Sequence, residues 1–233
     1  RPRWDAQREL LRLGLPSGAA LFFEVTGFAL MAVFIARLGT TPLAGHQIAA
    51  NVAAVLYMLP LSIGIATGAQ TAQALGAGDR AQARRIWRQG LWLALALVAM
   101  LGALLVGLRG PLARAYSPDP AVQAVAIQLL LFVAASQLAD ATQCIASFAL
   151  RAYRIALLPA LSYAIGLWGI GLAGGAWLAF SPPPVWPNAL AGPAAFWLAN
   201  VVALGCVSAL LMALLQRVSA VRSPTETLGS LAG

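Results

Sequence analysis

Six long apolar blocks alternate with short polar connections along this chain, at residues 15–38, 46–74, 89–108, 121–148, 157–180 and 191–216. Each is near or above the ~20 residues that cross a bilayer as a helix. The period-2 alternation of a membrane barrel is absent, and open strands cannot satisfy their backbone in lipid, so the blocks are predicted to be helices. Prolines mark the starts. Pro16, Pro120 and Pro193 suit first-turn positions, while Pro182, Pro183, Pro184 and Pro187 stiffen a connection. Pro60 falls inside the second block, where it is expected to kink the helix. The division that follows is a lead-in at 1–14, a six-helix transmembrane bundle at 15–216 and a tail at 217–233.

Composition agrees with this pattern. Of 233 residues, 61% are apolar and only 9% charged, with mean hydropathy +0.80, whereas about a quarter of a soluble domain is charged. The fold class expected is all-α and polytopic. A net charge of +8 would suggest nucleic acid in a soluble protein; here the arginines cluster between apolar blocks and set topology, so no nucleic-acid partner is expected. The first block is too long for a cleavable signal peptide and lacks a cleavage site. The chain does not open with Met, and the expectation is a fragment or a gene whose earlier part is missing.

Arginines fix the orientation. Arg1, Arg3, Arg8, Arg12, Arg80, Arg84, Arg85, Arg88, Arg151, Arg154, Arg217 and Arg222 fall on one side, and Arg37, Arg109 and Arg114 on the other. The positive-inside rule then places both termini of a multi-pass membrane protein in the cytoplasm, with its helices in contact with membrane lipids. The arginine-rich stretch 75–88 reads as a short cytoplasmic surface helix touching anionic head groups.

Only two acids, Glu24 and Asp140, lie deep inside apolar blocks. An ionised side chain in hydrocarbon costs roughly 3 kcal/mol on insertion scales, so it usually lines a wet path or a binding cavity. Glu24 is twelve residues from Arg12, and Asp140 eleven from Arg151. At about 1.5 Å per residue each is roughly 16–18 Å from the cytoplasmic side, so the two carboxylates are expected at one depth, near mid-membrane, acting as a coupled pair. Around Asp140 a polar stripe of Ser136, Gln137, Gln143, Cys144 and Ser147 shares one helix face and should turn toward other helices or a cavity rather than lipid. Ser17, Ala20 and Gly27 flank Glu24 and leave room for an ion or a substrate edge. Gln47, Asn51 and Ser62 can share a face of the second helix as neutral oxygen ligands, with helix packing as the alternative. His46, the single histidine, reads as a cap or interfacial residue at that helix's outer end. The glycines of 165–175 permit close packing or bending.

No HExxH, GxSxG or Walker-type loop occurs, and there is no second histidine for a catalytic pair. Cys144 and Cys206 match no metal or redox spacing. An enzyme is not expected, nor is a cofactor.

At LRLGLPSGAALFFEV (11–25), LGTTPLAGHQIAANV (38–52), YMLPLSIGIATGAQ (57–70), ALGAGDRAQAR (74–84) and QLADATQCIASFALRAYR (137–154) the chain resembles the carboxyl-terminal half of a multidrug and toxic compound extrusion (MATE) transporter. The motifs stand in family order. The resemblance implies one six-helix lobe of a twelve-helix, two-lobed V with a central cavity, and export of small organic cations in exchange for sodium ions or protons. It maps the cation- or proton-coordinating positions onto Glu24 and Asp140, which would also hold the sodium ion in a sodium-coupled member. It further implies an amino-terminal six-helix lobe as partner. The chain departs from the family at Leu150-Arg151-Ala152, where LRG is usual, and at Ser136, where some sodium-coupled relatives carry an aromatic. Two other classes remain: a lipid or lipid-linked oligosaccharide flippase of the same superfamily, and a non-transporting truncated membrane subunit. A flippase is expected to show cationic residues inside its cavity, and within the six blocks Arg37 is the one arginine, near an end.

Overall fold

The computed structural model describes residues 4–187 and 190–220, and among these no strand occurs. The chain runs α1 (Trp4–Ala36), α2 (Thr40–Gly76), α3 (Arg80–Tyr116), α4 (Pro120–Ala152), α5 (Leu157–Phe180) and α6 (Pro193–Ala220). By length and composition α2 to α6 can each cross a membrane, and α1 adds a shorter apolar stretch, Leu21–Ala36. The inner part of α5, Ile165–Gly174, is π-helical.

Local chemistry sets the breaks. Gly39 and Gly78 take φ of 116° and 81° in the turns after α1 and α2, a region that favours a residue without Cβ. Asp79 then caps α3 by accepting from the Gln82 amide at 2.7 Å, and Asp119 caps α4 by accepting from the Ala121 amide at 2.8 Å. Side-chain caps satisfy amides that the first helical turn leaves unpaired. Pro120 and Pro193 open α4 and α6. Pro60 sits buried inside α2, and Pro111 lies inside α3.

Two expectations are corrected here. Stretch 75–88 is no separate surface helix: α2 ends at Gly76, and Arg80 already begins the long α3, because the Gly78–Asp79 turn and cap suffice to reverse the chain. Pro16 does not start a helix, since α1 is already helical from Trp4. The lead-in is thus largely the first turns of α1, while the tail from 221 onward lies outside the described residues.

Helix α4 is the centre of the bundle, packed by α2, α3 and α6, while α5 bridges α6 and α1. Close approach is built from missing side chains. A Cβ on Gly64 would come 2.9 Å from the Phe148 ring, and one on Gly175 would come 2.9 Å from the Phe196 backbone. Small residues of this kind let helices touch where the solvent offers no hydrophobic drive. Two apolar clusters fill the bundle, one around Ile35, Leu129, Val133 and Trp197, the other around Trp87, Leu150, Leu167 and Leu211. They take opposite ends of the same helices. The outward face is equally apolar, with Phe22, Val25, Trp92, Met100 and Leu104 exposed, as lipid contact allows. A polar layer lies against the second cluster, of which Tyr163 is a member.

Candidate functional site

Four helices bring their polar residues into that layer. Glu24 of α1 is half-buried, and the hydroxyl of the buried Tyr163 of α5 lies near enough to act on its carboxylate. Asp140 of α4 is half-buried too. The Ser136 hydroxyl, one turn earlier, lies within hydrogen-bonding reach of it while also meeting the Val133 carbonyl at 3.0 Å. The two carboxylates are close enough to act on each other electrostatically. Tyr57 of α2 completes the layer, with its hydroxyl near the Cys144 thiol. That sulfur in turn lies 3.5 Å from the Pro60 carbonyl.

A cavity of about 270 Å³ opens against this layer, lined among others by Glu24, Tyr57, Gln143, Ser147, Arg151 and Tyr163. Its α4 wall runs from Gln143 to Arg151, which is roughly 12 Å of helix at 1.5 Å per residue. Asp140 sits one turn deeper on the same face. The carboxylates thus do not lie side by side in one wall: Glu24 lines the open volume, whereas Asp140 is not among the residues that line it.

The stripe predicted on α4 is placed as its spacing requires. Ser136, Gln137, Gln143, Cys144 and Ser147 are all buried. The Gln143 amide approaches Ser147 Oγ at 3.5 Å, and its carbonyl oxygen has no protein partner among the described residues, which leaves an acceptor at the cavity wall. Both polar atoms of Gln137 are likewise buried without a partner among those residues. Gln47 and Asn51 go elsewhere. They are exposed and line a separate recess of about 470 Å³ with Tyr116, whose hydroxyl donates to Asn51 Oδ1 at 2.7 Å. Ser62 donates to the Leu59 carbonyl at 2.8 Å, within its own helix.

The room expected beside Glu24 is partly taken. A Cβ on Gly27 would meet Leu167 at 3.1 Å, so that glycine admits α5 rather than a ligand; the side chains of Ser17 and Ala20 lie outside the described residues. His46 is corrected as well. It is 1% exposed, with Nδ1 accepting from Trp197 Nε1 at 3.2 Å, so it is a core residue locking α2 to α6 and neither a cap nor an interfacial group.

Three site residues escaped the sequence. Tyr57 and Tyr163 look like ordinary members of apolar blocks. Arg151 counted only as a topology charge, yet its guanidinium lies 4.8 Å over the Phe148 ring and within electrostatic range of Glu24. A signal was present: Arg151 continues the 140, 143/144, 147 face by one more turn. Its position also removes the argument that the spans carry no cationic residue beyond Arg37, because α4 extends past position 148 to Ala152.

Comparison with known proteins adds the following. A MatE family model matches residues 16–177. The chain is 46% identical over 202 residues to a probable multidrug resistance protein NorM of Aromatoleum aromaticum, covering 87% of this chain and 43% of that protein. It is 36% identical over 212 residues to multidrug resistance protein MdtK of Pectobacterium atrosepticum, covering 91% of this chain and 46% of that protein. Among solved structures, the Vibrio cholerae MATE transporter VcmN in its bent form superposes with a TM-score of 0.81 at 22% identity, over 96% of this chain and 51% of that one. The chain thus spans about half the length of the relatives it matches.

Proposed function

We propose, from the premise that this chain belongs to the MatE family, that it is the carboxyl-terminal lobe of a secondary antiporter exporting small organic cations in exchange for sodium ions or protons. The single observation that carries the reading is the cavity lined by Glu24, with Asp140 close enough to that carboxylate to act on it electrostatically. Two nearby carboxylates in low-dielectric surroundings attract a monocation strongly and repel each other when the cation leaves. A sodium ion or a proton relieves that repulsion just as an organic cation does, so the two kinds of occupant compete for one site.

In the proposed cycle the organic cation enters from the cytoplasmic side and neutralises the pair. Outside, sodium or protons take its place, and the neutralised lobe returns inward. Gln143, Ser136 and Gln137 supply uncharged oxygens close to the acids, and the rings of Tyr57 and Tyr163 offer an aromatic wall of the kind that holds cations. Gln47 and Asn51 belong to a second, more open polar recess on the path. Alternating access comes from rocking against an amino-terminal six-helix lobe, as in other transporters built from repeats. Both termini face the cytoplasm and the bundle sits in the bacterial inner membrane.

Arg151 is the one feature that favours a flippase of anionic lipid-linked substrates. A single guanidinium opposite a carboxylate is a poor anion site, however, and the acids outnumber it within the layer. The experiment is drug efflux from cells carrying Asp140→Asn or Glu24→Gln. Each variant is expected to lose efflux at unchanged protein level. Wild-type efflux from both neutralised variants rules the cycle out.

A further inference from the structure

We infer that Arg151 is a tethered competitor for the Glu24 carboxylate, a built-in cation that the exported substrate must displace. The inference rests on the exporter reading above and adds how affinity at that site is set.

Arg151 and Glu24 line one cavity from opposite sides, on α4 and α1. Between the described groups no ion pair is closed: the guanidinium is parked over the Phe148 ring at 4.8 Å. Phe148 itself lines the cavity and stands three residues before Arg151, so ring and guanidinium are neighbours on one helix face. The arginine side chain is rich in rotamers, and the proposed motion exchanges this ring for the carboxylate. The two positions have complementary consequences. When the guanidinium reaches across, Glu24 is neutralised and no bare carboxylate faces the open volume. When an organic cation arrives, Arg151 withdraws to the ring, where cation–π attraction holds it. The exchange gives Glu24 a positive partner whether or not the cavity is loaded. It also weakens substrate binding by the free energy of displacing the arginine, which favours release.

The test is ethidium binding to the full gene product carrying this chain, read by fluorescence anisotropy in detergent. Arg151→Gln and Arg151→Met are each expected to tighten the dissociation constant roughly tenfold, as removal of one nearby competing charge implies. Arg151→Lys should bind like wild type. In a Glu24→Gln background the Arg151→Gln change should have no effect, because the contested carboxylate is gone. Millimolar guanidinium should weaken ethidium binding in Arg151→Gln and leave the Glu24→Gln variant unmoved. A merely structural arginine predicts none of these couplings. If Glu24→Gln loses affinity but neither neutral Arg151 variant gains any, the inference falls and the exporter reading stands. Equal tightening in the presence and absence of Glu24 also overturns it. If Glu24→Gln binds ethidium as wild type does, both fall together.

Discussion

Among the described residues, Tyr163 is the hydroxyl from a neighbouring helix that acts on Glu24, and it is expected to help orient that carboxylate. Tyr163→Phe keeps the ring and deletes that hydroxyl, an interaction worth about 1 kcal/mol; the initial rate of drug efflux should fall roughly fivefold while protein level holds. An unchanged rate would mean that Glu24 is oriented by its own helix. At the other end of the bundle, Trp197→Phe leaves His46 Nδ1 buried without its donor. That should cost about 1–3 kcal/mol of stability, read as a lower unfolding midpoint of the purified protein. Glu24 and Asp140 were legible in the sequence because a charge in an apolar block has few inexpensive explanations. The tyrosines were not: a phenol costs little to bury, so hydropathy cannot separate a packing ring from a hydrogen-bonding one. His46 misled because its place near the start of a block says nothing about which helix covers it.

Helices α2 and α4 touch through Gly64 and Gly68, both against Phe148. Gly64→Val would drive a branched side chain into that ring and the Cys144 sulfur beside it, and overpacking of this kind costs roughly 1–3 kcal/mol. A drop in the thermal midpoint, partly restored by Phe148→Ala, is the expected outcome; a midpoint that does not move would show that α2 and α4 separate without penalty. Hydropathy located these elements well, since lipid imposes a length on every apolar block. It was silent on their internal hydrogen bonding. Nothing in the composition of 165–174 distinguishes the π-helical pattern seen there from ordinary α-helix, although π segments often sit at functional sites and this one packs on α1 and α6. The expected surface helix failed for a related reason. Arginines on one face describe polarity, whereas the cap at Asp79 decides that those residues start a transmembrane helix.

Across the whole molecule, arginine asymmetry and half-length make joint demands. Positive-inside orientation places the turn between α3 and α4, near Ser117, opposite the end of α6. Green fluorescent protein fused after Ala220 should fluoresce, and alkaline phosphatase inserted at Ser117 should be active; the reverse pattern would invert the bundle and place the Arg151 end of the cavity outside. The bundle matches one half of its relatives, so export is proposed for the assembly rather than for six helices alone. The central claim concerns two carboxylates serving one cation. Its most direct test is ethidium efflux from proteoliposomes under an imposed sodium gradient, then an imposed pH gradient, for wild type, Glu24→Gln, Asp140→Asn and the double variant. The account predicts gradient-driven efflux in wild type under at least one gradient and none in any variant, with the double no worse than either single. Gradient-driven efflux at wild-type rate from either single variant would contradict it.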